Sequence, residues 1–544
     1  MEDPRFPVLD GDQAARLAAF GRARAVAAGE PLVEVNDAHP RMFVVLSGRI
    51  EILQVRDGRE EPFIELGPGQ FTGELNLLSG RRALVRIRVK EPGELAELSR
   101  EQGLAVVQGD RELGEILTKT FILRHAALVA QGIGGVVLVG SEHCAGTLRV
   151  REFLARNGHP QTYLDLDRDP AAQVALDRLG VSVADIPVLI CRRGEAFLRN
   201  PSNEAIAECL GFNATVDSTE IRDLVVVGAG PAGLAAAVYG ASEGLSVLVL
   251  ESATPGGQAG SSSWIENYLG FPEGISGEAL TTSAYTQAQK FGAQLLVARS
   301  AVELSCARKP FALQVGGGAP LSARAIVIAS GVAYRKLALP NVGEFEGRGI
   351  YYGATPMEAQ LCRKEEVAVV GGGNSAGQAA VFLADSGSRV NVLVRGKGLA
   401  DSMSRYLIRR IEDHPSITLW IETQVTALEG ERHLERIHWR NGGGTEVRAI
   451  RHLFCMTGAD PSTGWLKGCL VLDEQGFVKT GADLTPEDRA GAGWPLARDP
   501  YLLETSRPGV FAVGDVRSGS MKRVASAVGE GSTAVAFVHR VLRE

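Results

Sequence analysis

The sequence predicts a multidomain chain: a small β-barrel or jelly roll, a compact α/β module, and two α/β units built on glycine-rich turns, one inserted into the other. Three observations predict it. At 544 residues the chain is too long for a single core. Short strands punctuated by glycine run through residues 29–99. Two strand, glycine turn, helix, strand units follow in the C-terminal half. The boundaries fall at 1–131 for the barrel and its following helix, 132–214 for the module, 215–344 with 459–544 for the first glycine-rich unit, and 345–458 for the inserted one.

Composition narrows the function classes. A hydrophobic share of 45% suits globular domains, and 65 glycines without a linker tract point to turns where backbone must approach a ligand. A formal charge of -7 argues against nucleic acid as a partner. No apolar run reaches the roughly 18 residues of a membrane span, and the start MEDPRFPVLDGD lacks the basic and apolar regions of a leader. The seven cysteines are scattered, with no C-x-x-C and no zinc spacing, so no metal site, reduced thiols and a cytoplasmic location are expected.

The barrel is read from PLVEV, RMFVVLSGRIEIL, PFIELGPGQFTGEL, ALVRIRV and ELAELS. Arg81, Arg82, Arg86 and Arg88 cluster and alternate along a predicted strand, and a solvated strand face accounts for most of them. Leu113, Ile116, Leu117, Phe121 and Leu128 then recur at helical spacing within residues 110–131. The run FTGELNLLSGRRALVRIRV resembles the phosphate cassette of cyclic nucleotide-binding domains. That resemblance implies a cyclic nucleotide as candidate ligand. Gly73 would lead a short helix toward the phosphate, Glu74 would accept from the ribose hydroxyl, and Arg81, with Arg82 beside it, would pair with the phosphate. The interval from Glu74 to Arg81 is shorter than the family pattern, and Arg82 stands where a small residue usually follows. A barrel kept for docking or dimerisation is the alternative.

In the module, GVVLVGSEHCAGTLRVREFLARNGHPQTYLDLDRDP reads strand, turn with cysteine, helix, strand, and VSVADIPVLICRRGEAF adds a hairpin. The pattern resembles a thioredoxin or glutaredoxin fold, in which Ile186–Pro187 would be the cis-proline beside the cysteine. The family's C-x-x-C is here Cys144-Ala145-Gly146-Thr147, so Cys144 alone is the candidate catalytic residue. It could form a mixed disulfide but not a local one. A thioredoxin fold kept as a spacer is the alternative.

From residue 223 the reading sharpens. DLVVVGAGPAGLAAAVYGASEGLSVLVLE holds an apolar strand, Gly228-x-Gly230-x-x-Gly233, a helix, and a second strand ending in Glu251. Glycine lets the backbone turn tightly against a diphosphate, and the terminal acid takes ribose hydroxyls. VAVVGGGNSAGQAAVFLADSGSRVNVLVR repeats the unit with Gly371, Gly373, Ser375 and Ala376, but its second strand ends in Arg395. An arginine there suits a 2′-phosphate, so the first unit is assigned to FAD and the second to NADPH. Arg405 is a further NADPH candidate, with Lys397, Arg409 and Arg410 nearby. ETSRPGVFAVGDV places Gly514 and Asp515 after a strand, and the following helix starts near Val524 and Ala525, aimed at the flavin.

Residues 256–280, GGQAGSSSWIENYLGFPEGISGEAL, add Gly257, Gln258 and Asn267 as FAD candidates. This segment, and the order of motifs from about residue 222 onward, resembles the low-molecular-weight thioredoxin reductases. The resemblance implies a homodimer and a redox dithiol in the NADPH domain. That slot reads Gly353-Ala354-Thr355-Pro356, so the dithiol relay is missing. Cys362 sits in charged surroundings that suggest a surface loop, and an insert at 482–500 looks like a surface excursion. The expected function is an FAD-dependent, NADPH-linked oxidoreductase that passes electrons to a small-molecule or protein acceptor other than thioredoxin. Alternatives are a nucleotide or redox sensor working by domain rotation, reverse electron flow to make NADPH, and thioredoxin reduction.

Overall fold

The computed structural model describes residues 3–544, except 40, 57–58, 131–135, 142–143, 170–175, 177–180, 183–184, 192–195, 263, 307, 401–402, 432 and 467. The boundary drawn at 131 and the turn of the module's hairpin at 192–195 lie outside the described residues.

The N-terminal sheet runs Arg22–Val26, Arg86–Leu98, Met42–Arg56, Arg59–Leu66, with Pro31–Val33 also on Arg86–Leu98. The segments ALVRIRV and ELAELS therefore merge into one strand, and Arg22–Val26 is an extra one. Arg86 pairs with Glu34 and Glu60, and Arg88 with Glu51 and Glu60, which is a solvated face of cross-strand ion pairs. Arg81 departs from that pattern. It precedes the strand and is 6% exposed. The helix Arg111–Ala130 buries Leu113, Leu117, Phe121 and Leu128 against the barrel side, as its spacing dictates.

The middle module has a four-stranded sheet in the order Thr162–Asp165, Val137–Gly140, Val188–Cys191, Ala196–Arg199. The first pair is parallel and the other two antiparallel. The crossover between the parallel pair is the helix Ala145–Arg156, with Cys144 at its N-cap. The Ile186–Pro187 bond is cis.

In the first glycine-rich domain, parallel strands Gln294–Val297, Val247–Glu251, Ile221–Val227 and Leu321–Ile328 lie side by side. Val510–Ala512 pairs in parallel with the end of the last, and an antiparallel pair, Phe311–Val315 and Ala301–Ser305, completes seven strands. The central strands bury apolar residues on both faces, one against the helices Pro231–Ser242, Gly277–Lys290 and Val524–Val541 and the other against the antiparallel strands and residues 466–478. The inserted domain has five parallel strands around Glu366–Val370 and a three-stranded antiparallel sheet. Two crossings join the domains, Val332–Tyr334 and Ala459–Pro461, paired as an antiparallel ribbon. Gly331 and Gly458 flank the ribbon at φ 63° and 94°, a conformation that favours glycine.

Two expectations about thiols change. Cys306 and Cys469 form a disulfide with Cα atoms 6.1 Å apart, rather than standing reduced. A separation of 163 residues hides the pairing, which arises because the strand Ala301–Ser305 ends beside the turn Gly464–Leu466. Cys362 is fully buried, not on a surface loop, because the helix Pro356–Leu361 turns its apolar side into the domain core. Burial pushes the Cys362 thiol up to about 11. The 482–500 insert is anchored as well. Its Arg498 makes a two-pronged pair with Glu504, whose side chain is fully buried, and bonds Glu544.

Candidate functional site

The first cradle forms where parallel strands end. Gly228 leaves its strand at φ 106°, and a side chain there would stand 2.2 Å from Ala329 O. A Cβ on Gly233 would lie 1.8 Å from Gly228 O, so only glycine lets helix and turn pack. Gly230 faces the other way, with nothing closer to its notional Cβ than Gly257 Cα at 3.9 Å. It caps the helix Pro231–Ser242 and offers no side chain to the first amides, which remain donors for an anion. Glu251 ends the next strand buried at the cavity wall, accepting from Ala229 N and Ala253 N at 2.8 Å each. Burial raises its pKa, and those two amides oppose the rise. Each oxygen keeps lone pairs for a ribose hydroxyl.

The second cradle repeats the device. Gly371 sits at φ 148°, with a notional Cβ 2.4 Å from Met456 O, and Gly373 caps the helix Asn374–Asp385 without a side-chain bond. Arg395 lies exposed where the strand Arg389–Leu393 ends, with no ion-pair partner among the described residues.

Both cradles open on one continuous cavity of about 1360 Å³. That exceeds the roughly 300–1,000 Å³ of a single-ligand cleft, so it has room for two dinucleotides. Its walls include Gly228, Gly230, Glu251, Gly257, Gln258, Gly514, Asp515 and Val524 from the first domain. Gly371, Gly373, Ser375, Ala376 and Arg395 line it from the second. Gly233 stands behind the turn, and Asn267, Ala525 and Arg405 are exposed away from the cavity. Gln258 Nε2 donates to Val332 O at 2.6 Å, tying the GGQ turn to the ribbon between the domains. Gly514 N donates to Glu530 at 2.6 Å, which seats Asp515 at the wall, where burial raises its pKa. Sequence motifs missed Tyr334, Lys522, Arg299 and Arg156. Arg156 comes from the middle module, and no local pattern marks it.

The slot Gly353-Ala354-Thr355-Pro356 is committed to another purpose. Thr355 N donates to Glu358 at 2.9 Å, its hydroxyl bonds the same carboxylate, and Ala359 N returns to Thr355 O. This is a helix-start arrangement in which the acid three residues on satisfies the cap amide. Burial raises the Glu358 pKa.

In the barrel, Gly73 and Glu74 border a second cavity of about 70 Å³, beneath Phe6 and Arg124. Glu74 bonds His125 Nδ1 at 2.9 Å, and Arg124 donates to Gly73 O. Arg81 does not line this cavity. It donates to Asn157 O at 2.6 Å in the middle module and to the Tyr285 hydroxyl at 3.0 Å in the first glycine-rich domain. Arg82 packs beside Gly211. In the middle module, Cys144 Sγ lies 3.9 Å from Ile186 O.

Comparison with known proteins agrees with this geometry. The profile of the pyridine nucleotide-disulphide oxidoreductase family matches residues 222–531, more than half of the chain, and that of the cyclic nucleotide-binding domain matches 23–110. Thioredoxin reductase of Bacillus subtilis (strain 168) is 30% identical over 337 residues, covering 60% of this chain and 96% of that protein. Thioredoxin reductase of Streptomyces clavuligerus is 30% identical over 327 residues, with 60% and 95% covered. Among solved structures, Lactococcus lactis thioredoxin reductase in its FR conformation superposes with a TM-score of 0.53 at 26% identity, covering 59% of this chain and all of that one.

Proposed function

Because the chain belongs to the pyridine nucleotide-disulphide oxidoreductase family, we propose that it is an NADPH-oxidising flavin reductase whose electron acceptor is not thioredoxin. It is an oxidoreductase of the thioredoxin reductase-like type and uses FAD and NADPH. One observation carries the acceptor reading. The two cradles already share one cavity, while the slot for a relay dithiol holds a helix cap without sulfur.

When bound, FAD supplies the two-electron chemistry that takes reducing equivalents from NADPH and passes them on. The residues hold and orient. The amides after Gly230 receive the FAD diphosphate, Glu251 the adenosine ribose, and Asp515 the ribityl chain. The amides after Gly373 receive the NADPH diphosphate, and Arg395 the 2′-phosphate. With no dithiol to reload, the chemistry requires no rotation of one domain against the other. The domain limits given above, and a homodimer, belong to this reading.

Residues 132–214 are read as a thioredoxin-like module, supported by the strand order and by Cys144 at the start of the crossover helix. Cys144 is the candidate for a mixed disulfide with an external thiol. Regulation by a cyclic nucleotide rests on Arg81. The cassette resemblance assigns it to the phosphate, yet it bonds Asn157 and Tyr285. Ligand and module junction would compete for one guanidinium. Coupling of this kind must appear as a change in NADPH affinity or flavin reduction when cyclic nucleotide is added.

The test is steady-state NADPH consumption with oxidised thioredoxin, a quinone and dioxygen as separate acceptors. Turnover with quinone or dioxygen and none with thioredoxin is expected. Faster turnover with thioredoxin than with either would overturn the reading.

A further inference from the structure

The crossover helix Ala145–Arg156 spans the junction between the modules. At one end, Ala145 Cβ stands 2.7 Å from where a side chain on Gly347 would begin, in the inserted domain. At the other, Arg156 reaches the wall of the dinucleotide cavity. Its Nη2 donates to Gly257 O at 2.9 Å and to Pro255 O at 3.4 Å, and its Nη1 lies 3.2 Å from Glu152. A side chain on Gly260 would meet Nη2 at 3.0 Å, so the loop is shaped around the guanidinium.

Arg156 is mostly withdrawn from water, its side chain 16% exposed. Two of its partners are neutral carbonyls, its ion-pair acid, Glu152, is 46% exposed, and the other anion near it is the buried carboxylate of Glu251, whose charged form it favours. A cation withdrawn from water in this way is costly unless an anion completes its surroundings. The cavity beside it is the one whose glycine turns and free helix amides are built for dinucleotide phosphates. Gly257, which Arg156 grips, lies against Gly230, with its notional Cβ 3.0 Å from Gly230 Cα.

Arg156 is in turn held from behind. Arg81 donates to the backbone oxygen of Asn157, the next residue, and to Tyr285, and its guanidinium stacks 4.6 Å from the Phe212 ring. No carboxylate pairs with Arg81 among the described residues.

We infer that Arg156 is an FAD-site residue lent by the middle module. Its guanidinium is a counter-charge for the anionic dinucleotide and clamps the 255–257 loop, and Arg81 is the positioning residue that fixes the helix end. The N-terminal half thereby completes the flavin site. The inference rests on the reading of this cavity as the FAD site.

The test is FAD affinity of full-length protein, stripped and reconstituted, followed by flavin fluorescence. Arg156→Gln, which keeps a donor and loses the charge, is expected to weaken FAD at least tenfold, whereas Arg156→Lys stays within about threefold. Glu152→Gln removes the competing acid and is expected to tighten FAD or leave it unchanged. Arg81→Met weakens it in the same direction as Arg156→Gln, by less. The inference is overturned if Arg156→Gln and wild type bind FAD equally, if Lys fails to rescue, or if Glu152→Gln weakens binding. Should the wild-type protein take up no FAD at all, the cavity reading itself fails, an outcome distinct from equal binding by the two.

Discussion

Gly233 shows how much one missing side chain can decide. With 1.8 Å between a notional Cβ and Gly228 O, Gly233→Ala must pull the helix off the turn. Overpacking of that kind costs about 3 kcal/mol, so the variant should purify with less flavin and a lower Tm. Visible absorbance per chain and thermal melting check both. Arg395 is the residue that should separate the nicotinamide cofactors. Arg395→Ala removes charge-assisted bonds worth about 2 kcal/mol, so KM for NADPH should rise more than tenfold while KM for NADH holds. Equal effects on the two would remove the 2′-phosphate assignment. The tight turn at Gly228 and Gly233 and the place of Arg395 at a strand end were legible in the sequence, because each belongs to one strand-turn-helix unit. Arg156 was not legible. It acts on a loop some hundred residues away, and its spacing within its own helix carries no sign of that.

Among elements, the junction formed by the end of the crossover helix and Arg81 is the one set by tertiary contact alone. His159 sits there, 5.3 Å from the Phe212 ring. Part of the residue reaches the surface, but its Nε2 is shut from solvent, with no hydrogen-bond partner among the described residues. Burial, aided by the nearby charge of Arg81, pushes its pKa down to about 3 from an ordinary 6.5. The folded chain keeps this imidazole neutral while the unfolded chain protonates it. Its contribution is therefore intact above about pH 6.5 and is lost as pH falls toward 3, by up to ~2 kcal/mol at pH 5. Denaturant melts at pH 7 and 5 should show this loss in wild type and a smaller one in His159→Leu. An equal loss in both would place the acid sensitivity elsewhere. The insert at 482–500 makes a second case. Its place between two strands marked it as a surface excursion, and most of it is exposed or half-buried, but Arg498 ties it to Glu504, which lies beyond the insert and is wholly enclosed. Arg498→Met leaves that carboxylate buried with only the amides of Tyr501 and Gly509. The expected cost is about 3 kcal/mol in chemical denaturation. A change under ~0.5 kcal/mol would mean that water replaces the arginine.

At the scale of the whole molecule, the dinucleotide-binding fold and the cyclic nucleotide-binding domain ahead of it were readable, since each rests on local motifs. The shared cavity was not, because it depends on how the ribbon Val332–Tyr334 and Ala459–Pro461 sets one domain over the other. Nor was the Cys306–Cys469 bond. Neither of its cysteines lines the cavity. In the function proposed above, NADPH and flavin communicate directly and no protein thiol intervenes. Anaerobic titration of the flavin-loaded protein with NADPH, with titratable thiols counted before and after, tests it most directly. The visible flavin band should bleach at one NADPH per flavin with no gain in thiols. Uptake of a second equivalent with two new thiols, or a flavin left oxidised by NADPH but bleached by a chemical reductant, would contradict it.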